Sequence, residues 1–171
     1  QVPSDKFIVI SVAGSTLQEV ESAVHAFPTH SVHLLHCVAR YPCPVDGLLL
    51  GNIEVMKREF ESERVKIGYS GHEEGIEPSL AAIELGASMV ERHFCLSRES
   101  FVHHIECSLE PEEFSAMVRM ARDQEDLSPY VTQLPSASLS SDFGMTEEQR
   151  SFLVEQTYGR KYLEPMSWHR D

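Results

Sequence analysis

Two histidines and a carboxylate stand out because each lies at the end of a short apolar run that is typical of a buried strand. His72 follows the run VKIGY, and His93 ends the run ASMVERH. Neutral imidazoles are good ligands for Mn, Fe or Zn, so two of them at neighbouring strand ends indicate a metal site. Glu91 shares a strand face with His93 by the period-2 rule, where it could orient a substrate, hold a metal-bound water or move a proton. Spacing alone leaves open the alternative that these histidines are structural residues hydrogen-bonded near a sheet end.

Hydroxyls and further histidines lie near the other predicted strand ends. Ser11 and Ser70 could bind an anion, and the segment SVAGST resembles a loop that enters a helix N-terminus, a natural phosphate site. Helix capping explains the same segment equally well. His103 and His104 are adjacent, a pattern more typical of a solvated loop than of a ligand pair. Together with His36, these side chains predict a rim at which several histidines and a carboxylate gather.

Such a rim forms only if the strands that carry these residues lie in one sheet. Four β-branched or aromatic runs predict strands over residues 6–11, 31–37, 65–69 and 87–93. Four amphipathic segments predict helices over residues 16–27, 50–61, 77–86 and from residue 110 onward. Because a helix follows each strand, the alternation predicts an α/β fold with a parallel sheet. In such folds the working side chains lie at the carboxyl ends of the strands.

The pattern changes near residue 127. Residues 128–142 are rich in Ser and Pro and predict a linker or surface loop. Residues 146–158 predict one further amphipathic helix. We therefore expect a first domain over residues 1–127, followed over residues 128–171 by a linker and a C-terminal helical segment.

Composition argues against several classes of partner. The chain has 171 residues with 14 Lys and Arg against 27 Asp and Glu, a formal net charge of −13. Nucleic acids and anionic membranes both need a basic face, so neither is expected as a partner. No apolar run approaches the ~20 residues that span a bilayer. The four cysteines form no CxxC pair, which favours reduced thiols in a cytoplasmic protein. A start at Gln1 rather than Met is compatible with a fragment or a processed product.

The stretch around His72 and His93 reads GYSGHEEGIEPSLAAIELGASMVERHF, which resembles the signature segment of the sialic acid synthases, the phosphoenolpyruvate-dependent nonulosonate synthases. LLHCVARYPCP is similar to that family's strand-six segment, and FIVISVAGSTLQEVESAV to its strand-five segment. CSLEPEEFSAMVR resembles the Ser-Leu-Glu-Pro segment that follows strand eight. The resemblance covers residues 6–125. It implies that the chain holds strands five to eight, half of a (β/α)8 TIM barrel.

The resemblance also implies an activity and a set of site residues. These enzymes condense phosphoenolpyruvate with an N-acetylmannosamine-type sugar and release phosphate. His72 and His93 match two histidines that bind a divalent metal, Mn or Mg, which activates the sugar aldehyde as a Lewis acid. Glu91 matches a carboxylate at the sugar and metal site, so these three are the expected catalytic residues. The positions that line the phosphoenolpyruvate pocket match Ser11, Tyr41 and Ser70.

The chain departs from the family pattern at several positions. His104 replaces an Asp of the substrate site, which exchanges an anion for a neutral or cationic ring, changes sugar binding and could add a metal ligand. Ala39 stands where the strand-six loop has Asn or Ser. The lysines that grip the phosphoenolpyruvate anion belong to the family's first half, which the resemblance does not cover, and the antifreeze-like domain that usually follows the barrel is not matched either.

Two functions fit these observations. In the first, the chain is the C-terminal half of a sialic-acid-synthase-type barrel that needs an N-terminal half for activity. In the second, it is a degenerate, non-catalytic half-barrel scaffold. An open half barrel exposes two sheet edges and an apolar face. We therefore expect a homo-oligomer or a partner protein that completes the barrel.

Overall fold

The computed structural model describes residues 2–3, 5–101, 103–123, 126–145 and 150–151. Four strands form one parallel sheet in sequential order: Ile8–Ser11 (β1), Val32–Cys37 (β2), Val65–Gly71 (β3) and Val90–Arg92 (β4). The register pairs Ile8 with Val32, Val32 with Val65, and Tyr69 with Val90. The sheet confirms the predicted α/β fold and all four predicted strands.

A helix follows each strand, as predicted. The helices are Leu17–His25 (α1), Gly51–Phe60 (α2), Glu77–Glu84 (α3) and Pro111–Arg122 (α4). Thr16 starts α1 through a capping box with Glu19, in which each side chain accepts a hydrogen bond from the other residue's backbone N–H. Proline stands in the first turn of α3 and of α4, where its missing N–H has no helical partner to lose.

The main hydrophobic core lies between the sheet and the helices that cover it. Leu34 of β2 and Ile67 of β3 are fully buried there, in one cluster with Val20 of α1 and with Ile53 and Met56 of α2. Burial of each such side chain stabilises the fold by about 1.5–3 kcal/mol. This core fixes the spacing of the strands, and hence the spacing of the residues at their carboxyl ends.

The opposite face of the sheet is uncovered along β1. Phe7, next to β1, and Val9 are 59% and 42% exposed, whereas Ile8 and Ile10, which point to the helix-facing side, are partly buried. β1 and β4 are the two edges of the sheet. An apolar open face between two unpaired edges is what half of a closed barrel presents.

Residues 128–139 differ from the predicted linker. Ser128–Gln133 form a short helix (α5) that packs against α3, and Ser136–Leu139 form a 3-10 turn. The Ser138 hydroxyl is buried and donates to the carbonyl of Val45 at 2.7 Å. The linker prediction is wrong here because Pro129 lies in the first turn of α5 and Ser138 is satisfied by a distant backbone carbonyl.

Two predictions concern the C-terminal part of the chain. The helix predicted over residues 146–158 falls outside the described residues, apart from residues 150–151. The domain division at residue 127 stays a prediction. Among the described residues, no helix combines the length and the apolar character needed to cross a bilayer.

Candidate active site

Successive residues of β3 and β4 point to opposite faces of the sheet, as the period-2 rule predicts. On the open face, the Ser70 hydroxyl donates to the Glu91 carboxylate at 2.9 Å. The imidazoles of His72 and His93 meet edge to face there, with ring centres 5.3 Å apart. The four side chains on this face belong to neighbouring strand ends, so the sheet itself brings them together.

Backbone contacts fix the His72 ring. Its Nδ1 lies 2.8 Å from the carbonyl oxygen of Val38, which can only accept a hydrogen bond. Nδ1 therefore carries the proton in the neutral ring, and Nε2 keeps its lone pair. The Cys37 thiol also approaches Nδ1, at 3.7 Å, and the His72 carbonyl accepts from the N–H of Cys43. The loop after β2 thus sets the tautomer and the position of His72.

Tyr41 and His104 extend the pair into an aromatic cluster. The Tyr41 ring lies between two imidazoles, 4.0 Å from the ring centre of His72 and 4.2 Å from that of His104. His93 is 5.4 Å from His104 and 5.8 Å from Tyr41. The structure therefore brings together four of the predicted site residues, and we call Tyr41, His72, His93 and His104 the histidine cluster.

Ser11 is the most distant of the predicted site residues. It ends β1, two strands from β3, and neighbouring strands lie about 4.8 Å apart. Ser11 lowers the pKa of the Cys37 thiol against the larger effect of burial, and that thiol in turn approaches His72. Ser11 is thus linked to the histidine cluster through Cys37.

Burial keeps the cluster in its neutral forms. Desolvation lowers the pKa of His72. It also lowers the pKa of His93, with the neighbouring rings of His72 and His104 acting in the same direction. The pKa of His104 is lowered by burial and by His103, and burial raises the pKa of the Cys37 thiol. At neutral pH the cluster therefore presents uncharged imidazoles, the form that binds metals and accepts protons.

The donor set of His72 and His93 suits a divalent metal ion. Two imidazoles that bind one ion through nitrogens about 2.1 Å away bring their ring centres to about 5 Å from each other, close to the separation of this pair. A backbone carbonyl on Nδ1 that frees Nε2 is also the usual arrangement behind a metal-binding histidine. Within the described ranges, no group of three or more His, Cys, Asp and Glu side chains is placed to hold one ion. The fit is therefore to a two-histidine site whose other positions are left to substrate and water.

A cavity of about 650 Å³ lies beside Cys37. It lies between the carboxyl ends of β1 and β2 and the segment 142–145. Cys37, Ala39 and Arg40 belong to its lining. The described lining also includes His36 and Asn52 of the helix-facing side and none of the four residues of the histidine cluster.

A buried ion pair lies on the opposite, helix-facing side of the same strand ends. The guanidinium of Arg92 is 3.0 Å from the Glu73 carboxylate, and neither side chain is exposed. The hydroxyls of Tyr69 and Ser79 donate to Glu73 at 2.8 and 2.7 Å. This network was not predicted. The signal was available, since alternation places Arg92 on the face opposite to Glu91 and His93, where a buried charge needs a partner.

Two of the predicted rim residues are placed elsewhere. His36 is on the helix-facing side, where its Nε2–H donates to the carbonyl of Leu48 at 2.8 Å and the ring is buried. It is a structural residue, because strand alternation directs it away from the open face. His103 is exposed, although its ring is 4.8 Å from that of His104.

The phosphate interpretation of SVAGST is not favoured by the geometry. The Glu19 carboxylate accepts hydrogen bonds from the backbone N–H and hydroxyl of Thr16, at 2.8 and 3.0 Å. An anionic side chain therefore already lies at the N-terminus of α1, which leaves helix capping as the explanation of this segment.

Comparison with known proteins connects this geometry to one family. The model of the NeuB family matches residues 2–130. The chain is 41% identical over 113 residues to the N-acetylneuraminate-9-phosphate synthase of Drosophila melanogaster, covering 64% of this chain and 30% of that protein. It is 32% identical over 123 residues to the N,N'-diacetyllegionaminic acid synthase of Campylobacter jejuni, covering 69% and 36%.

A solved structure agrees with these matches. The N-acetylneuraminic acid (sialic acid) synthetase of Leptospira borgpetersenii superposes with a TM-score of 0.65 at 27% identity, covering 90% of this chain and 50% of that one. The four-stranded sheet is therefore half of a TIM-type barrel. The chain spans about a third of the length of the two curated relatives and half of the solved one.

Proposed function

The chain belongs to the NeuB family, and from that premise we propose that it supplies the metal-binding half of an enzyme that condenses phosphoenolpyruvate with an N-acetylmannosamine-type sugar. The product is a nonulosonic acid, and phosphate is released. The single observation that carries the proposal is the meeting of His72, His93 and Glu91 on one face at the carboxyl ends of β3 and β4. In parallel β/α folds this is the edge at which catalytic residues lie.

His72 and His93 would hold a divalent metal, Mn or Mg. When bound, the ion supplies Lewis-acid activation of the sugar aldehyde. The chain's own part is to hold the ligands ready: the Val38 carbonyl keeps Nε2 of His72 unprotonated, and burial keeps both rings neutral. Tyr41 packs on His72 and restricts its rotation.

Glu91 and the hydroxyl residues act on the substrates. The Ser70 hydroxyl holds one oxygen of the Glu91 carboxylate, which leaves the other oxygen to orient the sugar or to move a proton. Ser11, Ser70 and Tyr41 would line the phosphoenolpyruvate pocket, in which neutral donors orient the anion. The charge of that anion needs cations that the other half of the barrel would provide.

The proposal includes completion of the barrel by four further strands, in the same polypeptide or in a partner. The open face of β1, with Phe7 and Val9 exposed, supports it, as does the share of the relatives that the chain spans. Such completion would bury the apolar face and both sheet edges. The four buried, free cysteines favour a reducing compartment, the cytoplasm.

The test is an assay of phosphate release from phosphoenolpyruvate and N-acetylmannosamine with Mn²⁺, on the chain combined with a first-half segment from the family. We expect turnover that is lost in His72→Ala and Glu91→Gln and retained in His25→Ala, a change on the exposed side of α1. Bound Mn²⁺ should fall in His72→Ala. The absence of both turnover and bound Mn²⁺ in the completed barrel would overturn the proposal.

One observation favours the second candidate, a non-catalytic scaffold. His104 replaces the Asp that the family pattern has, and its ring stacks on Tyr41 at the centre of the site. In that case the chain would assemble with a first half, without turnover, and His104→Asp would restore none. Recovery of turnover in His104→Asp would instead show an intact site with altered sugar preference.

A further inference from the structure

Arg92 contacts all three histidine-bearing segments of the site from the far side of the sheet. We propose that Arg92 is the positioning residue that sets the relative placement of His72, His93 and His104. The inference rests on the proposed function only in the use it gives to these imidazoles. Whether the three rings move when Arg92 is changed can be tested without any reaction.

The guanidinium is completely enclosed, and it makes four hydrogen bonds and one ion pair with described residues. Nη1 donates to the Gly75 carbonyl at 2.8 Å and to the Ser79 hydroxyl at 2.9 Å, and it lies 3.0 Å from the Glu73 carboxylate in an ion pair. Nη2 donates to the Glu73 carbonyl at 2.6 Å and to the Cys107 carbonyl at 3.3 Å. These acceptors lie on the loop after β3, at the start of α3 and in the loop after β4.

Arg92 and its partner Glu73 are each adjacent in sequence to one of the imidazoles. Glu73 follows His72 directly, and Arg92 itself precedes His93. Adjacent residues share a peptide plane, so a shift of Glu73 or Arg92 is passed to its neighbour on the other face. One buried group therefore holds the backbone of both proposed metal ligands.

Cys107 makes the connection to His104. The His104 carbonyl accepts three hydrogen bonds, from the Cys107 N–H, the Cys107 thiol and the Ser108 hydroxyl, at 3.3, 3.3 and 3.0 Å. His104 adopts a left-handed backbone conformation with φ of 59°, which is uncommon for a residue with a side chain. Such a conformation persists only where the surroundings fix it, and Arg92 fixes Cys107.

Arginine suits this task in a way that lysine does not. The planar guanidinium presents its donors in a rigid fork and reaches acceptors on separate segments at once. A lysine keeps the charge opposite Glu73 but presents one ammonium on a flexible stem. Arg92→Lys therefore separates positioning from charge neutralisation.

The chain offers a matched control at the other end of the sheet. Arg64 also bridges loops, donating through Nη1 to the carbonyls of Phe27 and His30, both at 2.9 Å. Arg64→Lys makes the same chemical change far from the histidine cluster. It should alter the surroundings of His30 and leave the cluster unchanged.

The experiment measures imidazole ¹⁵N and ¹H shifts in the full 171-residue chain without metal. We expect Arg92→Lys to move the signals of His72, His93 and His104 and to spare His30 and His36. Arg64→Lys should move the signal of His30 and spare those of the cluster. Ser79→Ala, which removes one of the four hydrogen-bond acceptors, should move the same three signals by less and serves if Arg92→Lys does not fold. Unmoved cluster signals, or equal movement in both arginine variants, would overturn the inference.

A second arm measures Co²⁺ binding by the d–d absorption of the ion. Loss of a group that holds metal ligands in place weakens binding about 10–100-fold, so we expect that loss in Arg92→Lys at unchanged stoichiometry. If the role of Arg92 were purely structural, Arg92→Lys would bind fewer Co²⁺ ions per chain through unfolding, and its Kd would equal that of Arg64→Lys. That result would contradict the inference. Failure of the parent chain to bind Co²⁺ would count against the metal pair of the proposed function, and the imidazole shifts would still decide this inference.

Discussion

The two faces of β3 and β4 use neighbouring residues in opposite ways. On the helix-facing side, Glu73 and Arg92 are fully enclosed, and the oxygens of the Glu73 carboxylate are bonded to Arg92, Tyr69 and Ser79. On the open side, Glu91 is exposed and His93 is half-buried. Among the side chains that the structure describes, Ser70 is the one that donates a hydrogen bond to Glu91.

This difference shows how one strand end can be both rigid and reactive. A buried charge is stable only when it is paired and hydrogen-bonded, so the helix-facing network tolerates little movement. The open face keeps free lone pairs, which a substrate or metal needs. Because the faces alternate residue by residue, the rigid set directly supports the reactive set.

The largest effect that tests this contrast is on stability. Arg92→Ala leaves the Glu73 carboxylate buried without its cation and should reduce the free energy of unfolding by about 3–5 kcal/mol. His93→Ala, one residue away on the open face, should cost less than about 1 kcal/mol. Urea unfolding of the two variants measures both values. Equal losses would show that the two faces do not differ in their contribution to stability.

The sequence was enough to predict the four strands, the helix after each of them and the pairing of His72 with His93. Hydrophobic period, caps and strand ends are local signals, and the parallel sheet then brings neighbouring strand ends together. The stacking of Tyr41 between His72 and His104 was not predictable, because it depends on the paths of two loops. Arg92 could have been inferred from alternation, since a charged residue on a covered face implies a partner.

The second prediction concerns His36, which belongs to the helix-facing side. Burial lowers the pKa of His36 to about 4, below the value of about 6.5 for an exposed histidine. Between these values the unfolded chain binds a proton that the folded chain does not, so stability falls as the pH drops from about 6.5 to about 4. A difference of this size corresponds to roughly 3 kcal/mol.

The measurement is the free energy of unfolding from pH 7 to pH 4 in the parent chain and in His36→Gln. The slope over this range should flatten in His36→Gln, which cannot bind the proton. The matched change His25→Gln, on the exposed side of α1, should keep the parent slope. An unchanged slope in His36→Gln would place the acid sensitivity elsewhere in the chain.

A smaller effect tests how the helix-facing side is closed near β1. The side-chain amide of Asn52 is buried and makes two hydrogen bonds to the backbone of Asp142. Its Nδ2 donates to the Asp142 carbonyl at 2.6 Å, and its Oδ1 accepts from the Asp142 N–H at 2.8 Å. Asn52→Ala should cost about 1–3 kcal/mol, because two backbone groups lose their partners. Hydrogen exchange at Gly144, whose N–H donates to the Ser15 carbonyl at 3.0 Å, should accelerate. Glu54→Ala, an exposed change on the same helix, should leave that exchange unchanged.

The linker prediction is wrong for the same physical reason that the stacking of Tyr41 could not be predicted. Ser and Pro composition describes what a segment can do alone, whereas residues 136–140 are fixed by distant partners. The Ser138 carbonyl accepts from the N–H of Leu50, and the Ser140 carbonyl from that of Gly51. Composition carries no information about such partners, so the contact of this segment with the start of α2 could not be predicted.

The smallest effect on stability should come from Glu91, and it sharpens the contrast most. Glu91→Gln keeps the shape and an oxygen that accepts from Ser70, so the free energy of unfolding should change by less than about 0.5 kcal/mol. Loss of the charge removes the group proposed to move a proton, which should lower phosphate release in the completed barrel by about 10²–10⁴-fold. Glu84→Gln, exposed on α3, should change neither quantity. A stability loss in Glu91→Gln comparable to that in Arg92→Ala would mean that the open face is also structural, and the division between the faces would fail.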